Sequence, residues 1–326
     1  MQLQTTLNIA PAKTKISLQN PILLLGSCFS DEVGNLLESH KFNTYINPFG
    51  TIFNPISCFE LLEICLLDKQ LATETFVKDK ELYFNYLLHS DFFAYQLADL
   101  QQDIENCKLT VKNFFNSQEQ KVLIFTFGTA YIYELQEPEN AKILVANCHK
   151  QPAKLFEKRL ITVTEILSKF TTLYQLLPPN IEIILTVSPV RHLKDTLPLN
   201  AVSKAILRLV CHELSQKFEN ISYFPSYELM NDELRDYRFY ATDMLHPTPQ
   251  AVEYIYEKFC QTYMSSQTLD FQHKWKKILQ QLSHHSFHHE TEAHQQFLQN
   301  LLHNLQAITE VDVSQEIVEV MEKIAK

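Results

Sequence analysis

Residues 21–31 read Pro-Ile-Leu-Leu-Leu-Gly-Ser-Cys-Phe-Ser-Asp, an apolar run that stops on a glycine and passes at once to small polar residues. The run at 21–25 has the length and continuity of a strand buried on both faces. Residues 31–40, with Val33, Leu36 and Leu37 on one side, have helical spacing. Strand, tight turn and helix in direct succession is the unit of α/β proteins, which keep their sites at the C-terminal ends of the strands. Similar runs recur at 122–127, 181–187 and 221–224, and helical spacing returns at 154–177, 199–217 and 249–264. That alternation predicts an α/β fold with a mainly parallel sheet covered by helices on both faces. Residues 43–55, rich in Asn and Pro, read as a loop, 58–67 and 97–116 as helices, and 73–96 as a small strand excursion. A hairpin is expected from 131–134 and 143–145.

Composition narrows the function. Among 326 residues, 28 Lys and Arg stand against 38 Asp and Glu, a net charge of −10. Phosphate backbones and anionic membranes gain nothing from such a surface, so neither a nucleic-acid nor a membrane partner is expected. Only four glycines occur, Gly26, Gly34, Gly50 and Gly128, where average usage gives roughly 23. A dinucleotide fingerprint and a Walker loop both need more glycine in one place, and no cofactor is expected. Seven scattered cysteines without a Cys-x-x-Cys pair, and a first stretch lacking a signal-peptide apolar core, suit a reducing cytoplasm. After about residue 265 the strand pattern ends, Gln becomes frequent, and seven of the 13 His fall between His273 and His303. We therefore expect a domain at 1–262 and a helical His/Gln-rich extension at 263–326. His284, His285, His288 and His289 share helix faces but have no acidic or Cys ligand at fixed spacing, so they read as a solvated face and no metal site is expected.

The chemistry-bearing candidates sit in the loops. Cys28 and Ser27 lie between a strand end and a helix start, where free N–H groups and the positive end of the helix dipole favour a thiolate or an oxyanion. The competing reading is local: Gly26 makes the turn, Ser27 or Ser30 caps the helix, and Cys28 fills core space. Asp31 and Glu32 oppose a lowered thiol pKa. A nucleophile needs a base and the base an orienting acceptor, which Asp243-Met244-Leu245-His246 offers just before Pro247-Thr248-Pro249 opens the helix after the last strand. A second such spacing, Asp270 to His273, falls in the extension. Candidate oxyanion or substrate-binding groups are Gly50 with Asn47 and Asn54, Gly128 with Thr129, Asn147 with His149, and Arg191 after the 181–187 strand. For each of these the alternative is plain turn geometry or surface charge.

The segment Gly26-Ser27-Cys28-Phe29-Ser30 resembles the signature of the GSCFA family, with Ser30 in place of its final Ala. Residues 47–55, the Gly128-Thr129-Ala130-Tyr131 turn, and residues 147–150, 188–192 and 224–246 resemble that family's further blocks, so the likeness covers roughly 1–262. The resemblance implies the three-layer, flavodoxin-like fold of the SGNH/GDSL hydrolases, with a nucleophile after the first strand and an Asp-x-x-His near the C-terminal end. The GDSL pattern sets its nucleophile two residues after the glycine, which is Cys28 here, while the family name leaves Ser27 open. It further implies that Gly50 serves the oxyanion and that Ala130 stands where an oxyanion Asn belongs, with Asn147 a candidate replacement. The expected activity is that of an ester hydrolase or O-acyltransferase working through an acyl-enzyme on a small-molecule or carbohydrate ester. The alternative is a non-catalytic carbohydrate- or protein-binding module on a degenerate sheet.

Overall fold

The computed structural model describes residues 5–136, 142–284 and 291–324. In chain order the elements are β1 (Ile22–Gly26), α1 (Cys28–Ser39), β2 (Thr44–Ile46), α2 (Pro55–Leu66), β3 (Phe76–Asp79), β4 (Leu82–Asn85), α3 (Leu97–Asn116), β5 (Lys121–Phe127), β6 (Tyr131–Gln136) and β7 (Lys142–Val145). There follow β8 (Phe156–Leu160), α4 (Val163–Tyr174), β9 (Ile181–Val187), α5 (Leu197–Lys217), β10 (Ile221–Phe224) and the short α6 (Ser226–Glu228). The chain closes with α7 (Pro249–Tyr263), α8 (Ser266–Leu282), α9 (Glu292–Gln306) and α10 (Ser314–Ile324).

Five strands form a parallel sheet in the order β10-β9-β5-β1-β2. With β1 as the reference this is the doubly wound order 2-1-3-4-5, whose chain reverses direction across the sheet between β1 and β5. The apolar run at residues 22–26 is the buried second strand from one edge, in register Leu24 to Ile124. Alternate side chains serve two cores. Leu23, Leu25, Leu123, Phe125 and Leu185 meet α2 to α5, whereas Ile22, Leu24, Ile124 and Ile184 meet α1 and α7. The expected three-layer α/β architecture is therefore present.

Three local expectations change. α1 begins at Cys28, not near 31, because Ser27 caps it by accepting the Phe29 N–H. Residues 44–46, read within a loop, form the edge strand β2, whose three half-buried residues are too few to show a period. Residues 156–160, read as helix, form β8 and pair with β6, with Arg159 bonded across the ladder to Glu134. The following helix starts at a capping box between Thr162 and Glu165. β7, β6 and β8 make a small antiparallel sheet, and β3 with β4 a ribbon.

The extension begins where α7 ends. Its helices bury Phe271, Trp275, Ile278, Leu298, Leu301 and Leu305 in the same core as α1 and α7. Trp275 Nε1 donates to the Ser39 carbonyl at 2.8 Å, and Lys41 pairs with Glu316 at 2.6 Å. The two polar ties sit at and just beyond the C-terminal end of α1, whose 12 residues hold them about 18 Å from Cys28. His285, His288 and His289 lie outside the described residues. No group of three or more His, Cys, Asp or Glu among the described residues is arranged to hold a metal ion. No described helix is long and apolar enough to cross a membrane.

Candidate functional site

Gly26 ends β1 at φ +145°, and a Cβ there would strike the Thr126 carbonyl of β5. Only glycine lets the chain turn this close to its neighbour. The turn is stitched by Ser27 N–H to Thr126 O at 3.0 Å and by Ser30 Oγ to Thr126 Oγ1 at 2.8 Å. Ser27 is 1% exposed and its hydroxyl caps α1. Cys28, in the first turn, keeps a partly exposed thiol. Burial first, then Asp31 and Glu32, push that thiol up to about 11, against a smaller opposing effect of the backbone N–H groups at the start of α1.

Asn47 and Gly50 shape the wall beside it. Asn47 Oδ1 accepts the Gly26 N–H at 2.9 Å while its amide donates to Asp31 at 2.6 Å. Burial raises the Asp31 carboxyl, against the bonds from Asn47 and Thr51. Gly50, at φ +72°, is packed against His89, so a side chain there would collide. Four of the residues expected to bind the oxyanion or substrate have donors already bonded within the fold. The N–H of Gly50 donates to Asn47 O, and those of Gly128 and Thr129 both donate to Phe53 O. Asn54 is buried and caps α2 through Ser57. Turn geometry has consumed these donors.

Asn147 and His149 form a neighbouring loop. Asn147 donates to Ser90 and accepts the His149 N–H, and His149 Nε2 donates to the Asn85 carbonyl at 2.8 Å. Burial lowers the His149 pKa, so the ring is a neutral, stacked core group against Phe84. Arg191 lies over the Tyr240 ring and donates to its hydroxyl at 2.6 Å.

Tyr240 opens the loop that carries Asp243 and His246. Met244, at φ +60°, folds this loop tightly enough for Asp243 Oδ1 to accept the N–H groups of Leu245 and His246, at 2.9 and 3.0 Å. The other oxygen accepts His246 Nδ1–H at 2.6 Å. Those three bonds hold the Asp243 carboxyl down to about 2, the backbone bonds contributing most. With Nδ1–H bound, Nε2 is the free face of the ring, and 48% of the side chain is exposed.

His192 connects the two halves. Its charge state responds to Lys204, Lys158 and His246, and Lys204 in turn responds to Cys28. Burial first, then these cations, brings His192 down to about 4. Lys204 Nζ bonds the Gly128 and Ser188 carbonyls and Asn200 the His192 N–H, so these groups sit in the turns after β5 and β9, beside the β1 turn that carries Cys28. Clefts of about 780, 710 and 690 Å³ lie elsewhere, and none is lined by Cys28, Lys204, His192 or His246.

Residues 21–259 match the family model described as the GSCFA family. The chain belongs to the GSCFA family. Residues 275–326 match a second model, the GSCFA domain protein, C-terminal domain, so the GSCFA assignment takes in the extension as well. No curated protein and no solved structure matches the chain. Within this GSCFA chain, sequence reasoning missed Lys204 and Ser203, and took in His192 only as the end of the 188–192 block. The available signal was polar residues at 200, 203 and 204 on the line that Leu207, Val210 and Leu214 continue, where a helix normally buries apolar side chains.

Proposed function

We propose that this chain is an SGNH-type esterase or O-acyltransferase that works through a Cys28 acyl-enzyme on a small acyl ester, with carbohydrate esters as the substrate class. The observation that carries the reading is the Asp243–His246 pair, whose Nδ1–H bond at 2.6 Å fixes the tautomer and leaves Nε2 to take a proton. Cys28 is favoured over Ser27 because the serine hydroxyl is buried in its capping bond. A thiol held at about 11 is protonated at neutral pH. The anion therefore forms during attack: the thiol proton passes to His246 Nε2 as sulfur bonds the ester carbonyl carbon. The tetrahedral oxyanion faces the Cys28 N–H, since the Ser27, Phe29 and Ser30 N–H groups are bonded within the turn and its cap. Its collapse breaks the C–O bond, and the alcohol leaves with the proton from His246. Water or an acceptor hydroxyl then attacks the thioester by the same route and regenerates the thiol. Asn147, Arg191 and Tyr240 offer polar groups for hydroxyls of a sugar. Seven free cysteines support a cytoplasmic setting.

One observation favours the second reading, a binding module. Ala130 is fully buried with its N–H on Ser203, so the position of the expected oxyanion Asn offers no donor. The test incubates the protein with O-acetylated sugars and with a long-chain ester, and follows acid release together with the mass of the Cys28 peptide. Acetate release with a thioester on Cys28, lost in Cys28→Ala, supports the enzyme. Sugar binding by calorimetry without acid release or acyl-Cys28 would establish the module instead, and a clear preference for the long-chain ester would overturn the substrate class.

A further inference from the structure

α5 carries a buried stripe at residues 200, 203, 204, 207, 210, 211 and 214. Its last four members are Leu, Val, Cys and Leu, but the first three are Asn200, Ser203 and Lys204. Polar side chains on such a stripe cost desolvation unless each is bonded. Asn200 Oδ1 accepts the His192 N–H at 3.0 Å. Ser203 Oγ accepts the Ala130 N–H at 2.7 Å and bonds Thr129 Oγ1 at 3.1 Å. Lys204 Nζ donates to the Gly128 and Ser188 carbonyls, both at 2.7 Å. All these partners lie in the turns after β5 and β9. Lys204 is 2% exposed, and the strand β5 whose end it holds is the one bonded to the turn that carries Cys28, through Ser27 N–H to Thr126 O and Ser30 Oγ to Thr126 Oγ1; a thiolate at Cys28 favours the ammonium form of Lys204.

We propose that Lys204 is a positioning residue of the site, whose buried ammonium ties the ends of β5 and β9 and supplies the positive charge that an anion at Cys28 faces. This deepens the acyl-transfer reading and rests on it for its use. Burial brings Lys204 down to about 7, so its charge is lost within the working pH range unless an anion forms beside it. The groups that bear on the pair are Asp31 and Glu32, which add to burial in raising the thiol from α1, and His192, which burial first, then Lys204, Lys158 of β8 and His246, keep neutral.

The experiment is the pH profile of iodoacetamide alkylation, read at the Cys28 peptide so that the other six cysteines do not contribute. Lys204→Met keeps the length of the side chain and removes the charge, and it should slow Cys28 alkylation about tenfold at mildly alkaline pH, equivalent to about one unit in the thiol. Lys204→Arg should restore most of the rate. Ser203→Ala, which loosens the same turn without changing charge, should not slow it comparably. The wild-type protein supplies a second reading that no folding defect can obscure. The Lys204 ¹³Cε titration should have a higher midpoint when Cys28 carries an anionic carboxymethyl group than when it carries a neutral carbamidomethyl group. An unchanged alkylation profile in folded Lys204→Met, a loss equalled by Ser203→Ala, or identical Lys204 midpoints in the two adducts would overturn the proposal. Because neither readout uses an ester, absence of esterase activity would count against the acyl-transfer reading alone.

Discussion

Ser27 lends its hydroxyl to a helix cap, whereas Cys28 keeps a thiol at the surface of the turn. Ser27→Ala is therefore expected to lower stability by about 1 kcal/mol and to leave ester turnover within a few-fold, while Cys28→Ala abolishes it. The reverse pattern in steady-state rates would move the nucleophile to Ser27. For the base, His246→Ala should cost about three orders of magnitude in kcat, and His273→Ala, on α8, should cost nothing measurable. Equal losses would dissolve the distinction between the two Asp-x-x-His spacings. His192 provides a pH prediction. In the fold it takes a proton only near pH 4, against 6.5 when free. Between those values the unfolded chain binds the proton and the native one does not, so its contribution to stability is complete above 6.5 and is lost as pH falls to 4. The loss is about 3 kcal/mol. Denaturant titrations at pH 7 and pH 4 should show a smaller difference in His192→Gln than in the wild type by about that amount.

At the scale of elements, the first β-α turn is the least tolerant. A side chain at Gly26 meets backbone of β5 and not a flexible neighbour, so Gly26→Ala should cost more than about 3 kcal/mol and show as insoluble protein or a sharply lower midpoint of thermal unfolding. A variant that melts with the wild type would contradict this account of the turn. β8 shows why one segment was misread: Phe156-Glu157-Lys158-Arg159-Leu160 alternates weakly, and its strand form depends on the ladder with β6 and on the Arg159–Glu134 pair, partners more than 20 residues away in the sequence. α5 shows the converse, since its helical period was legible while the meaning of its polar stripe appeared only once the turns it holds were in place.

For the whole molecule, the main question is the extension. Trp275 is fully buried against α1, and Phe271 and Ile278 share its core. A chain ending at 265 would bare Tyr256, Cys260 and Met264, so it is expected to unfold at markedly lower denaturant than the full chain. Trp275→Ala alone should cost about 3–5 kcal/mol. Both changes act at the C-terminal end of α1, and in the folded fraction Cys28 alkylation should keep its pH profile. A truncated chain as stable as the intact one would show that the extension is only an ornament on the sheet domain.

Periodicity and punctuation in the sequence determined the doubly covered parallel sheet, the strand-turn-helix unit at Gly26, the Asp243–His246 spacing and the helical character of the described part of the extension. These are local properties, set by apolar runs, by a four-glycine chain and by residues no more than a turn apart. Tertiary structure alone decided which N–H groups were already taken, that Ser27 is a cap, that Lys204 ties the turns after β5 and β9, and that the extension shares the core. Each of those depends on atoms brought together from distant parts of the chain, and hydrogen bonding and desolvation act on such proximity, which linear spacing does not encode.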